Sequence, residues 1–446
     1  MQASRQIAAF AAAPHVLTDA VRHAGRRALL NMTGCAIGGS NAEAIDHLVA
    51  LLPGVSGPAK ARVIGRQVQT DPLWAAYINA GAANIFDFDD THIPTVIHPA
   101  APVAPAVLAL CESLAAEGQP VSGARMIEAI VIGMEVTCRL GLALHPVHYA
   151  RGWHITSTCG TFGAALACGR ILGLSETQLN DALGHALAQN AGSVETLGTM
   201  SKSLSVGQAA RGGLMAALLA QRGFTGPEAP LEGIRGFLAL HSDKPDYAAL
   251  CDDLGGRWEV LNNTFKPYPC GVVLNPVIEA CLGLAAEGIE PATITAVTLT
   301  GHPLLRQRTD RPAPASGRLS QVSAQHAVAV SLLRGRAGQA EFSDSEVIAP
   351  EVLALGAKLR FVDDPARSIE GVEIRLTLTG GEIVTREIKA ARGGLDHPLS
   401  DADLAGKLRS QISWRGLSLD AAALINALET IEDAGNGAAF LSLTQG

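Results

Sequence analysis

The sequence predicts a multidomain protein: a large all-α helical domain assembled from N- and C-terminal segments, with a smaller α+β domain inserted between them. Three observations carry this. Up to about residue 250, apolar residues recur at three- and four-residue intervals, the helical period. After about Trp258 the period shortens to two, and β-branched residues occupy alternating positions. The last fifty residues return to the helical period. The expected boundaries are 1–264 plus 393–446 for the helical domain and 265–392 for the α+β domain.

Taken in order, helices are expected at 18–38, 72–86, 102–117, 123–144, 157–174, 175–189 and 205–222, each bounded by Gly, Pro or a Ser/Thr/Asp start signal. Ser175 followed three residues later by Gln178 forms a capping box, in which each side chain satisfies an orphan backbone N–H of the other. Nothing in this first part alternates like a strand. Strands are expected at 293–301 and 368–379. Gly380-Gly381 followed by 382–389 reads as a hairpin return. Helical patterns at 276–287 and 323–333 interleave with them, and 401–412 and 419–431 close the chain, the first preceded by Pro398 and Ser400.

Composition bounds the function. Of 446 residues, 48% are hydrophobic and 17% charged, so a large core is expected and disorder is not. Aromatics are 4% while Gly numbers 47, which favours close-packed helices with small residues at their crossings. A net charge of −8 without any Lys/Arg run argues against nucleic-acid binding. Eight scattered cysteines without a CxxC pair read as buried, reduced thiols. The opening MQASRQIAAFAAAP has too short an apolar stretch for a signal peptide, and no apolar run of about 18 residues suggests a membrane span, so a cytoplasmic protein is expected.

Four clusters could carry chemistry. The segment NIFDFDDTHIPTVIHPAAPVAP places Asp87, Asp89, Asp90, Thr91, His92 and His98 within twelve residues, between apolar helical stretches. Groups of this kind, buried unpaired, cost several kcal/mol, so they are solvated, paired or used. A hard-cation site would need further oxygen ligands and the glycine of a calcium loop, which are missing. A solvated helix end is the other bland alternative. Prolines at 94, 99, 102 and 105 stiffen the loop, as a preorganised site requires.

The second cluster, HPVHYARGWH, sets His145, His148, Arg151 and His154 just ahead of a helix opening with Thr156, Ser157 and Thr158, whose N-terminus is a natural carboxylate seat. Each histidine alone is more often structural, but His154 stands directly at the helix start. The third, TMSKSLS, places Lys202 ahead of another helix and beside a largely uncharged run, which suggests burial and hence a lowered lysine pKa or an anionic partner, with an ordinary surface lysine as the alternative. The fourth, TFKPYPCG, holds Lys266 and Tyr268 between prolines at the domain junction, suited to substrate clamping, with a plain linker as the alternative. Cys270 lacks the His/Asn companions of a cysteine hydrolase.

Together these motifs resemble the MmgE/PrpD family across nearly the whole chain and in order: NMTGCAIGGS, DFDDT with its following HP, GWH with GTFGAA, MSKSLSVGQAARGG, FKPYPCG, SAQHAVAVSLLRG and DHPLSDADLAGK. The resemblance implies a helical domain built from both chain ends, a smaller α+β lid with the active site between them, and a homodimer. It also implies cofactor-free acid–base chemistry, without a metal, beside a carboxylate of a small anionic polycarboxylate. Asp87, His98, His154, Lys202 and Lys266 match its catalytic positions, and Thr91 matches a further position in the acidic loop. Tyr268, Arg151 and Asn275 are added as substrate contacts.

One departure bears on the reaction. Many relatives carry a histidine five residues after the lysine of the fourth motif or a little further on, where this chain has Gly271 and then Asn275. Asparagine hydrogen-bonds a carboxylate but is neither acid nor base near neutral pH. A dehydratase or decarboxylase needs a proton donor for the leaving group or carbanion. An epimerase needs only a base on each face of one carbon. The sequence therefore points to an isomerase, an epimerase of the iminodisuccinate type, with a methylcitrate-type dehydratase or cis-aconitate-type decarboxylase as runner-up. A catalytically inactive dimeric binding protein is the alternative from another class.

Overall fold

The computed structural model describes residues 2–446 and divides the chain into two compact units. The first comprises the chain up to Ile85, Asp89–Asn263 and Asp401–Gly446; the second comprises Phe86–Phe88 and Thr264–Ser400. Residues 86–88 and 393–400 thus pack with the second unit, although their helical surroundings in the sequence placed them in the first. No helix among the described residues is long and apolar enough to cross a membrane.

The first unit is predominantly helical. Its long helices are Asp19–Gly39, Pro72–Asn84, Ala100–Ala116, Gly123–Leu144, Ile155–Ile171, Glu176–Gln189, Ser201–Gln221 and Asp401–Arg415. Their starts follow capping chemistry: Asp71 Oδ1 accepts from Leu73 N at 2.9 Å and Trp74 N at 3.1 Å, and Ser175 and Gln178 make both bonds of the capping box. Small residues let the central helices approach closely. A Cβ on Gly163 would meet the Gly133 carbonyl oxygen at 2.3 Å, and one on Gly213 would meet Ala164 Cβ at 2.5 Å. A side chain at either crossing would force the Ile155–Ile171 helix off its neighbours.

Strands do occur in this unit, contrary to expectation. Ala61–Val63 and Val68–Thr70 form a short antiparallel hairpin, and Asp90–His92 is extended. Three-residue strands are too short to show alternation, so the sequence pattern misses them. The helices Ala3–Ala12 and Glu43–Val55 were not anticipated either.

The second unit contains a four-stranded sheet ordered Leu359–Asp363, Ile294–Gly301, Val372–Leu378, Ile383–Ile388. Only the Leu359–Asp363 edge strand is parallel to its neighbour. Val297, Leu299, Val372, Ile374 and Leu376 face a core shared with the helices Asn275–Ala286 and Ala324–Arg334. The alternation expected at 293–301 and 368–379 is this burial pattern, apolar inward and polar outward.

A buried ionic network braces the segment below the acidic loop of the first unit. Arg139 and Glu135 pair at 2.6 Å within one helix, both fully buried. Arg139 also donates to the carbonyls of Asp252 at 2.8 Å and Arg257 at 2.7 Å, while Glu135 accepts from Val260 N at 3.1 Å. Each member is hydrogen-bonded, which is the condition for keeping such charges in a core.

Candidate active site

The acidic loop of the first unit begins with Asp89, fully buried, whose Oδ2 accepts from Asn84 Nδ2 at 2.8 Å. Asp90 follows, and its Oδ2 accepts from Ala100 N at 3.2 Å and Asn263 Nδ2 at 2.7 Å. It thereby satisfies an orphan N–H at the start of the Ala100–Ala116 helix. Burial, and secondly the neighbouring Asp89 charge, push the Asp90 carboxyl up to about 7. His92 is also fully buried: its Nδ1 lies 2.7 Å from Thr95 Oγ1 and its Nε2 3.2 Å from Glu259 Oε2. The His92 hydrogen bond is the main cause holding the Glu259 carboxyl down at about 2. Asp90 and His92 therefore build the loop.

His98 and His154 are prepared differently. His98 Nδ1 lies 2.6 Å from the Asp90 carbonyl oxygen, which can only accept, so Nδ1 carries the proton. Asp89 Oδ1, 3.5 Å from the same nitrogen, and Thr91 Oγ1, at 3.4 Å, flank it. The His98 backbone N–H donates to Thr156 Oγ1 at 3.1 Å, tying the loop to the start of the Ile155–Ile171 helix.

His154 is the N-cap residue of that same helix. Ser157 Oγ donates to the His154 carbonyl at 3.0 Å and so accepts from His154 Nδ1–H at 2.9 Å. In both rings Nδ1 is thus held by a neighbouring oxygen, which fixes the ring orientation. Gly192 supports the arrangement. Its carbonyl accepts from His154 N at 3.2 Å, and a Cβ there would sit 2.1 Å from Ser157 Oγ, at a φ of +145°.

Lys202 is buried in the first turn of the Ser201–Gln221 helix, as its uncharged flank suggested. Arg151, in contrast, lies on an exposed turn and pairs with exposed Asp243, so the structure turns it outward rather than toward the buried histidines. His148 is structural: Nε2 lies 2.8 Å from Thr158 Oγ1, its ring stacks on Trp153 at 6.0 Å, and burial pushes it down to about 3.

The second unit holds the other expected residues. Lys266 Nζ donates to the Asp87 carbonyl at 2.9 Å and lies 3.1 Å from Asp87 Oδ2. Asp87 adopts a left-handed backbone with φ +52°, uncommon for a residue with a side chain though tolerated best by Asp and Asn. Asn275 is buried at the start of the Asn275–Ala286 helix, its Oδ1 3.8 Å from the Cys270 thiol. Burial pushes that thiol well up, so Cys270 is a neutral filler rather than a nucleophile. Tyr268 is pushed up to about 12, first by burial, and remains a phenol.

Sequence reasoning missed Ser157 as the partner that orients His154, Glu259 as the partner of His92, and the capping role of Asp90. An i, i+3 serine at a helix start was the only local signal for the first. The other two rest on contacts between distant segments.

The helical unit thus carries one buried lysine and two buried histidines whose Nδ1 atoms are engaged by neighbouring oxygens. The chain belongs to the MmgE/PrpD family: residues 5–250 match the MmgE/PrpD N-terminal domain and residues 268–432 the MmgE/PrpD C-terminal domain. It is 28% identical to the cis-aconitate decarboxylase of Homo sapiens, over 96% of this chain and 91% of that one. It is also 28% identical to the Aspergillus terreus enzyme of the same name, over 86% and 83%. Its identity to the 2-methylcitrate dehydratase of Cupriavidus necator is 26%, over 76% and 73%. These names describe lyases, whereas Asn275 had pointed to an epimerase.

Proposed function

We propose that the protein is a lyase acting on a small tricarboxylate of the cis-aconitate or methylcitrate type, moving protons with its own side chains and without a cofactor. Lys202 and Lys266 hold substrate carboxylates and stabilise the charge that develops beside them, as preorganised cationic groups do. Thr91, Tyr268 and Asn275 contact the substrate, and the α+β unit serves as a lid on a homodimer.

Two balanced steps fit these residues. In decarboxylation the C–C bond to one carboxylate breaks, CO2 leaves, and the electron pair kept by the substrate takes a proton from a histidinium. In dehydration a base removes the α-proton while an acid protonates the departing hydroxide. Decarboxylation needs one proton donor, while dehydration needs a base for the α-proton and an acid for the hydroxide; His98 and His154 supply these groups.

The observation that carries this reading is the fixing of Nδ1 in both buried histidines, at 2.6 Å from the Asp90 carbonyl and 2.9 Å from Ser157 Oγ. A second reading is epimerisation, favoured by Gly271 and Asn275 standing where many relatives have a histidine. The relatives' names support the lyase.

The test is incubation of cis-aconitate, 2-methylcitrate and iminodisuccinate separately in D2O, without added metal, followed by NMR. CO2 release or a new alkene is the expected result. Exchange of an α-proton with neither product would establish the epimerase instead, and inertness toward all three would favour a binding protein.

A further inference from the structure

Arg318 was not singled out by any sequence motif, yet four hydrogen bonds fix the turn that carries it within the second unit. It lies in the helical turn Gly317–Ser320, which continues through Gln321 with φ −62° and ψ −11°. Ser316 Oγ caps that turn by accepting from Leu319 N at 3.3 Å, and Gly317 N donates to Asp344 Oδ1 at 2.6 Å. Gln321 Nε2 donates to the Phe86 carbonyl at 2.8 Å, and the Gln321 carbonyl accepts from Gly271 N at 2.9 Å.

Residues three apart on a helical turn share a face. Gln321 reaches the Phe86 carbonyl, so this face lies beside the segment that carries Asp87, the partner of Lys266. Burial pushes the Arg318 guanidinium down, and the Asp87 charge acts on it in the opposite direction. Among the described residues no hydrogen bond or ion pair engages that half-buried guanidinium. Arginine presents five donors in a planar fork that matches a carboxylate bidentately, and leaving such a group desolvated and unpaired is costly.

We propose that Arg318 is a further substrate-binding residue, which receives one carboxylate of the polycarboxylate beside the Lys266–Asp87 pair. It adds a second cation to the Lys266 ammonium in the second unit, and so favours a tricarboxylate over a substrate with fewer carboxylates. The assignment rests on the polycarboxylate reading above.

The probe is tricarballylate, a saturated tricarboxylate with no bond to eliminate, titrated calorimetrically into the full-length protein and into Arg318→Gln and Arg318→Lys. Arg318→Gln is expected to weaken tricarballylate by about tenfold or more, the loss of a charge-assisted bidentate contact. Arg318→Lys is expected to fall between it and the wild type. Without ligand, the melting temperature of Arg318→Gln should be equal to or above that of the wild type, because an unpaired guanidinium is removed from a desolvated place. With a substrate that turns over, KM should rise more than kcat falls.

Equal tricarballylate affinity in the wild type and Arg318→Gln would overturn the assignment, and so would a lowered melting temperature in Arg318→Gln, the mark of a structural arginine. A wild type that does not bind tricarballylate overturns it as well. A wild type that binds tricarballylate through Arg318 but converts none of the candidate substrates would sink the lyase reading and leave Arg318 standing.

Discussion

In the helical unit, His98 and His154 each have Nδ1 engaged by a neighbour at 2.6 and 2.9 Å, and the loop that carries His98 is itself anchored through Asp90 and through His92 to Glu259. In the second unit Lys266 meets Asp87 on a left-handed backbone, and Arg318 stands without a hydrogen bond among the described residues. One set of groups is held in one protonation geometry before any substrate arrives. In the other, the Lys266 ammonium is already paired with Asp87, and only the Arg318 guanidinium lacks a hydrogen bond or ion pair among the described residues. On the proposed function, this difference suits fixed orientation for proton transfer at His98 and His154 and, at Arg318, an uncommitted cation for carboxylate binding.

The largest way to break this comparison is to remove a cation. Lys202→Ala and Lys266→Ala are each expected to lower kcat by about 10²-fold or more, as for loss of a preorganised charge stabiliser. If either variant turns over the true substrate at near wild-type rate in steady-state assays, that lysine is not part of the machinery.

Glu259→Gln probes the anchoring of the helical unit. Neutralising a buried carboxylate that accepts hydrogen bonds from its neighbours is expected to cost about 3 kcal/mol in denaturant unfolding near neutral pH. The sign with pH follows from the lowered carboxyl at about 2. Its stabilisation is present above the ordinary glutamate range near 4.5 and is lost as the pH falls toward 2. The difference between Glu259→Gln and wild type should therefore close as the solution is acidified through that window.

Ser157→Ala sharpens the claim for His154. Losing one hydrogen bond of about 1 kcal/mol is expected to slow turnover by about five- to tenfold, with little change in melting temperature. An unchanged rate would mean that Ser157 does not set the ring. Asp90→Asn should have the smallest net effect at neutral pH, since the carboxyl titrates at about 7. A raised carboxyl costs stability progressively as the pH rises from the ordinary value of 3.8 through 7. Thermal melts from acid to alkaline pH should show the wild type losing ground to Asp90→Asn across that range.

Much of this was legible along the chain because it is local. The Ser175/Gln178 capping box, the Gly380-Gly381 return and the helical periods need only neighbours in sequence, and the structure shows both capping bonds and the Val372–Leu378/Ile383–Ile388 pairing. The buried Lys202 was readable from its uncharged flank. What escaped notice depends on contacts across long separations. The strand Leu359–Asp363 carries an alternating pattern too short and too polar to stand out, and its partner lies some sixty residues earlier. Arg151 finds Asp243 ninety-two positions away and turns outward, and Arg318 gains its meaning only through Gln321 and Phe86. A single charged residue in a loop has no periodicity to betray its direction.

The claim that His154 moves the proton is tested most directly by deuterium incorporation into product, measured by NMR in D2O for His154→Ala against the wild type, with tricarballylate affinity measured on the same samples. The expected result is affinity within about twofold of wild type and incorporation slowed by about 10²-fold or more. Incorporation at the wild-type rate with affinity intact would contradict the assignment and return the proton to another group.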